Sequence, residues 1–106
     1  MEINQVVLSG NLTKNPDLRY TREGKAVAQG TIAVNGFKEN EVVFVNLTFW
    51  EKKAEVFANF TRKGDNITIV GKLVDTSYEK DGKKIYQMGV TVFDVKLPPK
   101  KQETTI

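Results

Sequence analysis

From Val42 to Trp50 the chain sorts its side chains onto two faces, because neighbouring residues of an extended strand point to opposite sides. Val43, Val45, Leu47 and Phe49 form one wholly apolar face, which must look into a core. The other face carries Val42, Phe44, Asn46, Thr48 and Trp50, two large aromatics interleaved with small polar groups. Such a face is too polar for a core and too aromatic for an idle surface. It suits the stacking of unpaired bases, each stack being worth roughly 1–3 kcal/mol whatever the base. The competing reading has Trp50, at the strand end, merely covering a barrel mouth or a helix.

Two further aromatics, Phe37 in the stretch 35–41 and Tyr78 at the start of a later hairpin, fit no core period. A loop-tip phenylalanine lowers solubility unless it meets something, and binding residues concentrate on loops; packing against its own hairpin fits each of them equally well. Cations that would neutralise phosphates stand nearby in sequence: Arg19 and Arg22, then Lys52, Arg62 and Lys63, then Lys72.

Catalysis has few means here. The chain has no cysteine and no histidine, and serine occurs only at Ser9 and Ser77, which removes disulfides, thiol nucleophiles, the usual zinc ligand sets and any Ser-His-Asp arrangement. Glu39, Glu41, Glu51 and Glu55 lie close enough in sequence to suggest a metal-dependent nuclease. However, Glu51 and Glu55 fall at a helix start, where the dipole favours carboxylates anyway, and no second carboxylate cluster completes a metal site. We therefore expect a non-enzymatic chain with no catalytic residues, no metal and no cofactor.

The elements that must position these residues can be read from periodicity. Alternating, β-branched stretches at 5–11, 26–34, 42–50, 67–75 and 84–95 predict five strands. Asn35-Gly36 opens the connection after the second, and Glu79-Lys80-Asp81-Gly82 makes a hairpin tip between the fourth and fifth. Over 52–60, Ala54, Phe57 and Ala58 recur at helical spacing, as do Val56 and Phe60, so one short amphipathic helix follows the third strand and stops at Lys63-Gly64-Asp65-Asn66. Connections too short for parallel crossovers argue for an all-β chain, a five-stranded antiparallel barrel with one short helix between strands 3 and 4, which is the order of the OB-fold. Gly10, Gly30, Gly71 and Gly89 inside strands suit the bulges and coiling that close a small barrel. Phe57, Phe60, Tyr86 and Phe93 are assigned to core or helix packing.

At 106 residues, 40% apolar and 27% charged, the chain is one ordinary globular domain. The expected division is an OB-fold domain over 1–97 and a flexible basic tail over 98–106, where Pro98-Pro99 ends any strand. The net charge of +3 is mild, and on its own it does not mark a nucleic-acid binder. The opening Met1-Glu2-Ile3-Asn4-Gln5 is polar and no apolar run reaches spanning length, so neither a leader nor a membrane contact is expected and the cytoplasm is the expected location. The Asn-x-Thr triplets at Asn11, Asn46, Asn59 and Asn66 are chance matches on that reading.

Several runs taken together resemble the bacterial single-stranded DNA-binding protein family: Asn4 to Leu12, Asn15-Pro16-Asp17-Leu18-Arg19-Tyr20, Ala26-Val27-Ala28, Phe49-Trp50, Ala54-Glu55-Val56, Arg62-Lys63-Gly64 and Gly71-Lys72-Leu73. The resemblance extends from about Asn4 to about Val95. It implies an OB-fold subunit that assembles into a homotetramer and wraps single-stranded DNA, with stacking positions on Phe37, Phe44, Trp50 and Tyr78. The function implied is sequence-tolerant coating of single strands in replication, repair or recombination. This chain departs from the family's pattern in a short loop around Phe37 that holds Glu39 and Glu41, and in Val74, Thr76 and Ser77 where many members carry arginine and lysine. Gln5 and Asn46 also stand where basic residues often occur. Fewer cations release fewer counterions, so weaker salt dependence and lower affinity than the family's strongest binders are expected. Partner recruitment in that family relies on an acidic C-terminal tip; residues 96–106 hold Lys96, Lys100 and Lys101 against Glu103, a net +2, so tail-dependent protein partners are not expected. Two rivals stay open: an OB protein whose face prefers RNA, since no residue announces a 2′-hydroxyl contact, and an OB-derived module whose aromatic face binds protein.

Overall fold

The alternation in the sequence becomes a ring of strands in the computed structural model, which describes residues 2–36 and 38–97. Along the chain run β1 (Val6–Leu12), β2 (Asp17–Tyr20), β3 (Ala26–Asn35), β4 (Val42–Trp50), α1 (Lys52–Phe60), β5 (Asn66–Asp75), β6 (Tyr78–Lys80), β7 (Lys83–Ile85) and β8 (Met88–Lys96). Neighbours follow the order β1-β5-β8-β4-β3, and β3 returns to β1 at Asn11↔Ala33 and Leu12↔Ile32, closing a barrel of five. With the single helix between the third and fourth barrel strands, this is the OB-fold expected.

One seam of the barrel is parallel: β4 meets β8 at Leu47↔Val90 and Thr48↔Thr91. An odd ring of strands cannot alternate direction all the way round, so one parallel contact is unavoidable. The barrel is antiparallel at its other seams.

Two details differ from the sequence reading. β2, which pairs with β3 from Asp17↔Gln29 to Tyr20↔Ala26, was not anticipated, because four residues after a proline show too little alternation. The stretch 84–95 is not one strand either. The chain first makes the β6–β7 hairpin, whose tip residues Asp81 (φ 54°) and Gly82 (φ 77°) both have positive φ, the signature of a type I′ turn. Only then does it enter the barrel, at Met88.

The core is the inward face of this ring. Leu12, Ile32, Leu47, Phe49, Ile67, Ile69 and Val90 are fully buried, and α1 plugs one end with Ala54 and Phe57. The Phe49 and Phe57 rings stack with centroids 3.9 Å apart at 13°. Phe57 can lie this deep because β3 has no side chain beneath it: a Cβ at Gly30 would stand 2.8 Å from Phe57 Cζ. At Gly71 the β5–β8 register shifts by a bulge, and a Cβ there would collide with the Thr91 carbonyl. α1 ends at Thr61, whose hydroxyl donates to the Phe57 carbonyl at 2.6 Å, meeting one of the acceptors a helix end leaves open.

Four apolar residues assigned to the interior are not in it. Val43 is 54% exposed, because Val42 to Phe44 pair only with the end of β3 in an arm that outruns the ring. Phe60, Tyr86 and Phe93 are likewise exposed, whereas Phe57 is fully buried as expected. Periodicity identifies residues that share a face but not whether another layer covers that face.

Candidate nucleic-acid interface

The outer surface of β4 and its neighbours is continuous. Strand register sets Phe44 beside Ala33, Asn46 beside Thr31, Thr48 beside Gln29 and Trp50 beside Val27. Phe44 is 66% exposed and Trp50 44%, and six residues of strand hold them about 20 Å apart on the same face. Arg19 pairs with Val27 from the far side, so Arg19, Val27 and Trp50 form one row across β2, β3 and β4. A second row runs from Gln29 through Thr48 and Thr91 to Lys72.

Directly after Trp50 the chain turns through Glu51, a non-glycine residue at φ 57°, a backbone state costing about 1–3 kcal/mol that surrounding bonds must hold. They do. Glu51 N–H donates to the Ala26 carbonyl at 2.7 Å, and the Glu51 carbonyl accepts from Ala54 N–H at 3.0 Å and Glu55 N–H at 3.2 Å. The strand therefore ends abruptly, leaving Trp50 on the outer face while α1 swings under the barrel.

Between the aromatic positions lies a groove of about 280 Å³, lined among others by Lys14, Gln29, Asn46, Thr48, Thr76 and Gln87. The Thr31 hydroxyl donates to Asn46 Oδ1 at 3.0 Å across β3 and β4. From the groove's rim springs the β6–β7 hairpin: Thr76 N–H donates to the Gln87 carbonyl at 2.9 Å, and Tyr78, half-exposed, begins β6 two residues on. Tyr78 thus stands two residues along the chain from Thr76, which lines the groove. Phe37 lies outside the described residues.

The expected phosphate-binding cations stand in different situations. Arg19 is exposed and its Nε lies 3.3 Å from Asp17 Oδ2, a surface pair worth at most about 1 kcal/mol, which a phosphate can displace. Lys72 Nζ stands 5.9 Å over the Phe93 ring on the outer surface of β5. Lys52 is exposed at the first residue of α1. Lys63 is tied by its backbone N–H to Asn15 Oδ1 at 2.8 Å, beside Lys14 at the groove. Arg62 is the least available, since its Nη1 donates to the Ala58 and Thr61 carbonyls at 3.1 and 2.7 Å and so serves the end of α1. Lys14, Gln29 and Gln87 are not marked in the sequence, and Thr76 stands out there only as a departure from the family's basic pattern. The signal for Lys14 was its place in Thr13-Lys14-Asn15, directly after the first strand, and for Gln29 its alternation with buried neighbours on the second.

The hairpin base has its own electrostatics. Ser77 donates to the Asp75 carboxylate through its hydroxyl and, at 2.9 Å, its backbone N–H; together with nearby Lys84 these bonds hold the Asp75 pKa below the usual carboxylate value. The Ser77 hydroxyl also accepts from Gln87 N–H at 3.1 Å, joining both legs of the hairpin. A depressed folded pKa means that this tie is present above the unfolded carboxyl pKa of about 3.9 and is lost as pH falls through the folded value. Amide exchange should therefore show Ser77 and Gln87 losing protection in acid before the barrel does, and Asp75→Ala, which removes the acceptor, should show the same loss at neutral pH. Equal protection in both proteins at neutral pH would contradict this.

Among the described residues no group of three or more Asp, Glu, His or Cys side chains is placed to hold a metal ion. Among the described residues no helix is long and apolar enough to cross a membrane.

The model of the Single-strand binding protein family matches residues 3–98. A single-stranded DNA-binding protein of Enterococcus faecalis is 47% identical over 90 residues, covering 79% of this chain and 48% of its own length. Single-stranded DNA-binding protein B of Bacillus subtilis is 44% identical over 107 residues, covering 94% of this chain and 95% of its own. Among solved structures, the single-stranded DNA binding protein from Thermus aquaticus superimposes with a TM-score of 0.76 at 35% identity, over 91% of this chain and 40% of that one. The chain thus spans about half the length of several curated relatives and nearly all of another.

Proposed function

Because the chain belongs to the Single-strand binding protein family, we propose that it binds single-stranded DNA without regard to sequence and protects it in replication, repair or recombination. The observation that carries this reading is the outer face of β4, where exposed Phe44 and Trp50 flank a polar groove instead of a second apolar layer. Bases stack on Phe44, Trp50 and Tyr78, with Phe37 as the fourth platform. Phosphates meet Arg19, Lys52, Lys63 and Lys72, joined by Lys14, and Arg62 contributes charge while capping α1. Stacking is indifferent to base identity and phosphate contacts carry no sequence information, so this set of groups coats a strand without reading it. The protein acts by binding alone, in the cytoplasm. The names of the relatives support the same ligand. Residues 98–106 lie outside the described residues; Lys100 and Lys101 against Glu103 support reading them as a basic tail to a domain over 1–97.

The working form in this reading is a homotetramer. β1 pairs with β5 over Val6 to Asn11 but with β3 only at Asn11 and Leu12, so along Val6 to Gly10 its other edge has no strand among the described residues. Val7, 61% exposed, lies beside this edge, and an open edge is a template for another chain. Mass measurement in solution at micromolar concentration tests both parts. Four chains of 11.9 kDa, gaining the mass of whole oligo-dT strands when these are added, is the expected result. A monomer would contradict the assembly, and no mass gain at low salt would contradict the ligand and favour a protein-binding module. Competition between matched DNA and RNA strands separates the remaining rival.

A further inference from the structure

The aromatic side chain most open to solvent among the described residues is one that the stacking set leaves out. Tyr86, 79% exposed, stands in the two-residue link between β7 and β8. Lys84 Nζ lies over one face of its ring, 5.2 Å from the centroid, and the exposure leaves the other face open. Beside Tyr86, Leu73, Val74, Ser77 and Met88 line a second cavity of about 540 Å³, with Leu73 half-exposed and Met88 more so. Alternation along β7 turns Lys84 and Tyr86 away from Ile85 and its partner Tyr78, so the two tyrosines face opposite ways. The two sides meet at Gln87, which lines both this cavity and the groove beside Asn46. β8 pairs with β4 only at Val90 and Thr91, so around Gln87 the chain has no strand on the β4 side among the described residues. A nucleotide chain can therefore pass from the groove across Gln87 into the cavity.

We propose that Tyr86, Leu73 and Met88 form a base-stacking site outside the β4 face, where a later nucleotide of the same bound strand lays its base on the open face of Tyr86. The inference rests on the single-strand reading above. A base is flat and apolar on its faces, so it covers an aromatic ring, a thioether and a leucine together. Charge sets its direction of entry. The Asp75 carboxylate in the cavity wall repels a phosphate, whereas Lys84 at the ring attracts one. Lys84 stands opposite Glu79 across the hairpin but forms no ion pair among the described residues, so it is available to the backbone while the base enters.

The test titrates a series of oligo-dT strands, from about 4 to about 16 nucleotides, the range of site sizes that one OB domain covers. Labelled-strand anisotropy at low salt is measured on the parent, Tyr86→Ala and Tyr86→Phe. The β4 face satisfies the shortest strands, so Tyr86→Ala should leave their affinity unchanged, and it should weaken the longest at least about fivefold. Tyr86→Phe keeps the ring and should match the parent at every length. Parent-like affinity of Tyr86→Ala at every length, an equal loss at every length, or a loss that Tyr86→Phe shares overturns the site and leaves strand binding intact. So does a changed assembly mass in Tyr86→Ala, which would assign the ring to contacts between copies of the chain. A parent that binds no strand of any length overturns the underlying reading instead.

Discussion

Truncating Phe57 to alanine should destabilise the fold by about 3–5 kcal/mol, a large share of the roughly 5–15 kcal/mol that holds a domain of this size. Phe57 is fully buried, stacks on Phe49 at 3.9 Å, and lies over the bare backbone of Gly30. Gly30 itself has no side chain to refill the space, so a cavity is left beneath the missing ring. The loss reaches the binding face as well, because the ring joins α1 to β3 and β4, the strands that present Phe44 and Trp50. Thermal unfolding followed by circular dichroism should show the midpoint falling by about 15–30 °C. A fall of only a few degrees would mean that α1 is not the plug of this barrel.

The second large effect is on affinity. Trp50→Ala and Phe44→Ala should each weaken binding of an oligo-dT strand by about 1–3 kcal/mol, or about 5- to 150-fold. Both side chains are exposed, so the variants should melt close to the parent. Neither change removes a phosphate contact, so the dependence of affinity on salt should keep its slope. Lys14→Ala should behave in the opposite way, with a shallower salt slope and a smaller loss. Anisotropy of a labelled strand at several salt concentrations separates the two classes, and a folded Trp50→Ala that binds as well as the parent would refute the stacking role.

What the sequence disclosed, it disclosed through local periods. The two faces of β4 and the span of α1 follow from alternation and from 3.6-residue recurrence, and both stand where those patterns put them. The same alternation separated Phe44 and Trp50 from the core residues Leu47 and Phe49. Long-range facts were less legible. The parallel β4–β8 seam joins residues some forty positions apart and is forced by the odd number of strands, which no local pattern records. Val43 has the period of a core residue but sits on an arm without a layer opposite it. Lys14, Thr76 and Gln87 come from three separate segments and meet only once the barrel has closed. The family resemblance supplied the stacking positions as a set; the register across β2, β3 and β4 supplies the reason why Arg19 shares a row with Trp50.

The central claim, that single strands stack on the outer face of β4, is tested most directly by the protein's own fluorescence. Trp50 is the only tryptophan, and it is partly exposed on that face. Titration with oligo-dT at low salt should quench its emission progressively and saturate at a fixed ratio of strand to protein, with the quench reversed by added salt as strands dissociate. Emission that stays unchanged while strands demonstrably bind would place the DNA elsewhere on the barrel and contradict the account.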